Sequence, residues 1–201
     1  MSKLVIRGGN KLSGSVKISG AKNSAVAVIA ATILCKGTTI LENVPQISDV
    51  KILLNIMKKL GVEVEWIEED VISVTAPDHV EFEALYPEVS NLRASNLLLG
   101  SLLGRRGAAA VALPGGCDLG ARPMDLHIKG FNQLGAEVET IEGSHIEAKV
   151  NDQGLHGAVI YLDFPSVGAT ENIIMAAAVA SGRPSSKTEP KSPRSLILPT
   201  F

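Results

Sequence analysis

One stretch of sequence occurs three times in this chain, so the fold has to be assembled from copies of a single supersecondary unit. The segment "KKLGVEVEW" at 58–66 returns as "NQLGAEVET" at 132–140, with Gly61 and Gly135 74 residues apart. Upstream, "SGAKNSAVAVIAATILCKG" (19–37) parallels "SNLRASNLLLGSLLGRRG" (90–107) and "SVGATENIIMAAAVASG" (166–182). Each begins on a serine, runs through an apolar segment and closes on a glycine. The third copy is incomplete.

The unit has a direct physical reading. Residues 24–35, 94–103 and 171–180 carry apolar or small side chains on nearly every face, and their Ala, Leu and Met content favours helix. A helix that is apolar all round has to be buried. The glycine after it suits a C-terminal cap. A short strand-like stretch follows, "TTILENV" (38–44) or "AAAVAL" (108–113). In 47–61 the positions Val50, Leu53, Leu54 and Met57 recur at helical spacing, with Asp49 placed to cap the start. "VEVEWI" (62–67) and "VISVTA" (71–76) alternate as a hairpin of half-buried strands. A further short strand, "GSVKIS" (14–19), is expected before the first helix. The predicted unit is helix–strand–helix–strand–strand, in an α/β fold with buried helices inside and amphipathic sheets outside.

Composition narrows the function classes. The 201 residues are 45% hydrophobic but only 3% aromatic, so the core must be aliphatic. A net charge of −2 argues against a nucleic-acid or membrane-surface protein. Cys35 and Cys117, 82 residues apart, make neither a disulfide framework nor a metal cluster, and the four histidines are scattered, so no metal is expected. The N-terminus has no apolar signal region and no run reaches membrane-spanning length, so a cytoplasmic location is expected, with no obligate protein partner.

Several positions invite chemistry. In "LPGGCDLGAR" (113–122), Gly115 and Gly116 free the backbone beside Cys117, and Arg122 is a cation that would favour thiolate. The plainer reading is a small side chain in a turn; Cys35, at the end of a buried helix, is read as core. Lys22 and Asn23 stand at a helix start, where unpaired N–H groups suit an anion. Arg93, three residues after Ser90 as Lys22 is three after Ser19, can bind phosphate bidentately or simply pair with Glu88. Pro123 and Asp125 fit the first turn of the second unit's amphipathic helix, and His127 reads equally as an interface histidine. "SVG" (166–168) opens the third buried helix.

Together "SGAKNSA" (19–25), "NLRAS" (91–95), "LPGGCDLGARPMDLHIKGFNQLGAEV" (113–138) and "FPSVGATENI" (164–173) resemble the UDP-N-acetylglucosamine 1-carboxyvinyltransferases, over residues 1 to about 182. The resemblance implies an inside-out α/β barrel. It also implies transfer of the enolpyruvyl group of phosphoenolpyruvate to UDP-N-acetylglucosamine with release of phosphate, the first committed step of peptidoglycan synthesis. Both substrates are small molecules, and no cofactor is implied. By the same resemblance Cys117 donates a proton to the methylene carbon of phosphoenolpyruvate and can form a covalent adduct with it. Lys22 and Arg122 join it in catalysis. Lys22, Asn23 and Arg122 bind phosphoenolpyruvate. Arg93, Arg122, Pro123, Met124, Asp125, Leu126, His127, Ser166, Val167 and Gly168 bind the nucleotide sugar.

Three divisions are expected: residues 1–21, which in the family pack with a second domain; the first domain, 22–182; and an aberrant tail, 183–201. The tail holds four of the ten prolines, with four basic residues and one acid, and no period. Read from the third base of the Gly182 codon, permitted codons for it spell a family-like continuation beginning Thr-Ala-Val-Ile-Glu-Asn-Gly-Ala-Lys-Glu-Pro. A one-nucleotide deletion near that codon is therefore expected, and the coding DNA tests it. The tail is expected to be disordered, and the incomplete third unit to expose apolar surface. Without a second domain to close the cleft, the alternative is a non-catalytic nucleotide-sugar-binding module.

Overall fold

A computed structural model describes residues 3–113, 124–141 and 143–188. The first unit runs α1 (Lys22–Ala31), a 3-10 turn (Thr32–Leu34), β1 (Gly37–Leu41), α2 (Ser48–Lys59), β2 (Glu63–Glu68) and β3 (Val71–Ala76). The second adds β4 (Glu83–Ala84), α3 (Pro87–Asn91) and a 3-10 turn (Arg93–Asn96) before α4 (Leu97–Arg106). It then repeats the order as β5 (Ala108–Ala112), α5 (Asp125–Gln133), β6 (Ala136–Ile141) and β7 (His145–Val150). The third contributes β8 (Val159–Ile160), α6 (Val167–Ala177) and β9 (Ser185–Ser186).

Helices lie inside and sheets outside, as the repeat predicts. In α4 every residue from Leu97 to Leu103 is buried, and α6 is buried from Ala169 to Ile173. The five leucines of α4 alone withdraw enough surface to stabilise the fold by roughly 2 kcal/mol each before conformational entropy is counted. The strands bury one face: β3 and β7 alternate inward and outward, while β2 and β6 are largely exposed. The sheet orders are β1-β3-β2, β4-β5-β7-β6 and β8-β9. β2–β3 and β6–β7 are antiparallel hairpins, whereas β4 lies parallel to β5 and β8 parallel to β9.

Four local expectations change. Residues 14–19 form no strand; Leu12, Val16 and Ile18 are exposed, and Lys17 pairs with Asp70 at 3.0 Å. Asp49 is not a cap: Ile47 holds the cap position without a side-chain bond, and Asp49 sits in the first turn. Cys35 is half-buried at the end of the 3-10 turn rather than in the core. Within 183–188, where no strand period is visible, Ser185 N–H donates to the Ala158 carbonyl and Lys187 N–H to that of Ile160, giving β9. Backbone pairing of this kind needs no side-chain pattern.

The two repeated glycines end α2 and α5 in the same way. Gly61 and Gly135 have φ of +90° and +93°, and their N–H groups donate to Lys58 and Asn132. Their surroundings differ. A Cβ at Gly61 would meet little but the His79 carbonyl oxygen at 4.0 Å, whereas one at Gly135 would overlap the His156 ring. Gly61→Ala is therefore expected to cost only backbone strain, about 1–2 kcal/mol, and Gly135→Ala clearly more. Urea unfolding of both variants checks the order; equal losses would contradict it.

Candidate functional site

Three helix starts, one from each repeat, converge on a single cleft of ≈ 390 Å³. Lys22 and Asn23 come from the first turn of α1, and Arg93, Ala94 and Asn96 from the 3-10 turn before α4. Ser166, Val167 and Gly168 come from the start of α6. Asp49, Leu97, Val26 and Glu171 complete the lining. The repeat explains the convergence: equivalent residues of equivalent units point toward the common end of the helical core.

The site is rich in donors. Ala21, before α1, offers no side-chain cap, so the first-turn amides of α1 are left for a ligand. Ser166 Oγ accepts only a long bond, 3.4 Å, from Ala169 N–H. The charges are mixed. Lys22 Nζ lies 2.5 Å from Asp49 Oδ2, with side-chain exposures of 53% and 28%. Arg93 is exposed, and Glu171 is buried at 2%. The expected Arg93–Glu88 alternative does not form: Glu88 accepts from Lys59 at 2.6 Å, which holds its carboxyl below the usual range. A lysine already neutralised by Asp49 and an exposed arginine can share an anion between them without the cleft carrying a large net charge.

Met124, Asp125, Leu126 and His127 lie beside this cleft, not in its lining. Asn96 Nδ2 points to Met124 Sδ at 3.9 Å, which ties the start of α5 to the 3-10 turn. Asp125 is exposed, while Met124, Leu126 and His127 are buried. His127 packs against α6, with its Nδ1 2.9 Å from Asn172 Nδ2, and burial pushes its pKa down to about 4. Cys117, Arg122 and Pro123 lie outside the described residues.

Sequence reasoning passed over Asp49, Asn96, Glu171 and Asn172. The first two read as ordinary helix-start polar residues. Glu171 and Asn172 carried a usable signal: a glutamate and an asparagine side by side inside an otherwise apolar helix. Buried polar groups require partners or a task.

The family described as EPSP synthase (3-phosphoshikimate 1-carboxyvinyltransferase) matches residues 6–196. The chain is 46% identical over 201 residues to UDP-N-acetylglucosamine 1-carboxyvinyltransferase 2 of Carboxydothermus hydrogenoformans, covering 100% of this chain and 47% of that protein. It is 50% identical over 183 residues to UDP-N-acetylglucosamine 1-carboxyvinyltransferase 1 of Halalkalibacterium halodurans, covering 90% and 41%. It thus spans about half the length of the relatives it matches. Among solved structures, the enolpyruvyl transferase NikO from Streptomyces tendae superposes with a TM-score of 0.78 at 22% identity, over 96% of this chain and 45% of that one. EPSP synthase from Acinetobacter baumannii gives 0.66 at 22% identity, over 91% and 42%. These two establish a shared fold. No helix among the described residues is long and apolar enough to cross a membrane.

Proposed function

The chain belongs to the EPSP synthase (3-phosphoshikimate 1-carboxyvinyltransferase) family, and on that footing we propose that it supplies one wall of a site that transfers the enolpyruvyl group of phosphoenolpyruvate to UDP-N-acetylglucosamine. Lys22 and Asn23 take the phosphate and carboxylate of phosphoenolpyruvate with Arg122. Arg93 and the amides of Ser166–Gly168 take the nucleotide diphosphate, while Pro123–Leu126 and His127 flank the nucleoside. Cys117 protonates the methylene carbon as the sugar hydroxyl adds to the neighbouring carbon and gives up its own proton to a base on the opposite wall; loss of phosphate from that carbon together with a proton from the new methyl group then restores the double bond.

One observation carries the reading. Lys22, Asn23, Arg93 and Ser166–Gly168, singled out from three separate stretches of sequence, line the same cleft. The chemistry fits the ligands, since both are polyanions and helix starts with a guanidinium are suited to phosphoryl oxygens.

Isothermal calorimetry with UDP-N-acetylglucosamine tests it. Arg93→Ala is expected to weaken binding by about tenfold or more, the loss of one charge-assisted contact. An unchanged affinity in that variant, or no heat with the wild type, would sink the assignment. Phosphate release from the two substrates separates the readings further: a nucleotide-sugar-binding module keeps the calorimetric signal and releases none.

A further inference from the structure

Asn172 is fully buried in α6, and its carboxamide touches three other pieces of the core. Gly100 N–H lies 2.7 Å from its Oδ1, and the Asn96 carbonyl oxygen lies 2.8 Å from its Nδ2. A backbone N–H can only donate and a carbonyl can only accept, so these two partners fix which end of the amide is oxygen and which is nitrogen. The second Nδ2 hydrogen then goes to His127 Nδ1, 2.9 Å away. A ring nitrogen that receives an N–H must be bare. The imidazole proton therefore resides on Nε2, and the ring is neutral.

The other edge of that ring faces the cleft wall. His127 is 6% exposed, and its Cε1 and Nε2 lie 3.7 and 3.8 Å from the place a Cβ on Gly168 would occupy. Gly168 lines the cleft at the start of α6. No hydrogen-bond partner of Nε2 is present among the described residues. A ring that is 6% exposed, whose remaining N–H meets no acceptor among the described residues and lies beside a helix start, marks a place where an acceptor belongs.

We propose that Asn172 is a positioning residue: it locks His127 in the Nε2–H tautomer and so makes the imidazole a donor aimed at an anionic oxygen seated at the start of α6. This rests on the reading of the cleft as the seat of a phosphorylated nucleotide. The arrangement explains why an asparagine, rather than another apolar residue, stands in the middle of a buried helix. It also needs Gly100, because only a residue without a side chain lets the α4 backbone reach the amide.

Imidazole nitrogen shifts of the 201-residue chain, with and without UDP-N-acetylglucosamine, test the proposal. The wild type is expected to show neutral His127 protonated on Nε2 at pH 6, with that nitrogen moved by the ligand. Asn172→Asp cannot donate, so it should draw the proton to Nδ1, raise the histidine pKa and weaken binding by about tenfold, the value of one lost hydrogen bond. If that variant does not fold, His127→Gln and His127→Ala decide. Glutamine can place an N–H near Nε2 and should bind within about threefold of wild type, while alanine should lose about tenfold. A wild-type ring protonated on Nδ1, an imidazolium at pH 6, or ligand binding that leaves Nε2 unmoved overturns the proposal alone. A wild type that does not bind the nucleotide sugar brings down the cleft reading and, with it, the role of His127 toward an anion, whatever tautomer the spectra show.

Discussion

Gly100→Ala is expected to destabilise the protein by about 3 kcal/mol or more, at the upper end for overpacking a core. A Cβ there would overlap the Asn172 carbonyl oxygen and come 2.6 Å from Asn172 Oδ1. Neither atom can swing aside, because one is helix backbone and the other is held by the Gly100 N–H itself. The helices α4 and α6 would have to separate along their closest approach, where the leucine run of α4 is buried. Gly130→Ala provides the contrast. Its Cβ would meet the Cγ1 and Cδ1 atoms of Ile173, the movable end of a side chain. A rotamer change can relieve that clash, so the cost should be smaller. Chemical denaturation of the two variants side by side checks the difference, and a Gly100→Ala protein as stable as Gly130→Ala would refute this account of the α4–α6 crossing.

The second large effect depends on pH. His127 has a pKa of about 4 in the folded protein, lowered from 6.5 by burial alone. Asp125, the nearest acid along α5, is exposed, and Glu171 adjoins Asn172 on α6; neither is the cause of the shift. An unfolded chain takes up the proton near pH 6.5 and the folded one only near pH 4. Between those values the unfolded state binds more protons, so stability falls as the pH drops through that window and is complete above 6.5. At 1.36 kcal/mol per pK unit, the loss across the window is roughly 3 kcal/mol. Urea midpoints at pH 7.5 and 4.5 should therefore fall more steeply for the wild type than for His127→Gln, which does not titrate. Parallel slopes would show that the histidine is not the group concerned.

Much of the fold was legible because the repeat supplies its own control. A reading that explains α1 to β3 must also explain α4 to β7, and the order helix–strand–helix–strand–strand meets both. The remainder was hidden for identifiable reasons. Two-residue strands such as β4 and β8 carry too few residues to show a period, and β9 is held by backbone bonds that leave no trace in side chains. Residues 14–19 alternate like a strand, yet a pattern creates no partner, and among the described residues β1 pairs with β3 alone. The site was legible where a charge sits at a helix start, as at Lys22 and Arg93. It was not legible where polar groups work from inside the core. Asn172 and Glu171 stand out as polar residues in a largely apolar helix, yet only the packing of α4, α5 and α6 shows what they face.

The cleft also has a consequence for how a ligand lies in it. Lys22, Arg93 and Ala169 stand three residues after Ser19, Ser90 and Ser166, the same station in each copy. Three identical stations would offer a guest three interchangeable ways to sit. Here one station presents an ammonium and one a guanidinium to the cleft, while the third is a fully buried alanine that does not line it. Divergence at this one repeated station thus breaks the symmetry inherited from duplication and gives the socket a unique orientation, so that an elongated guest with charge at one end has a single way in.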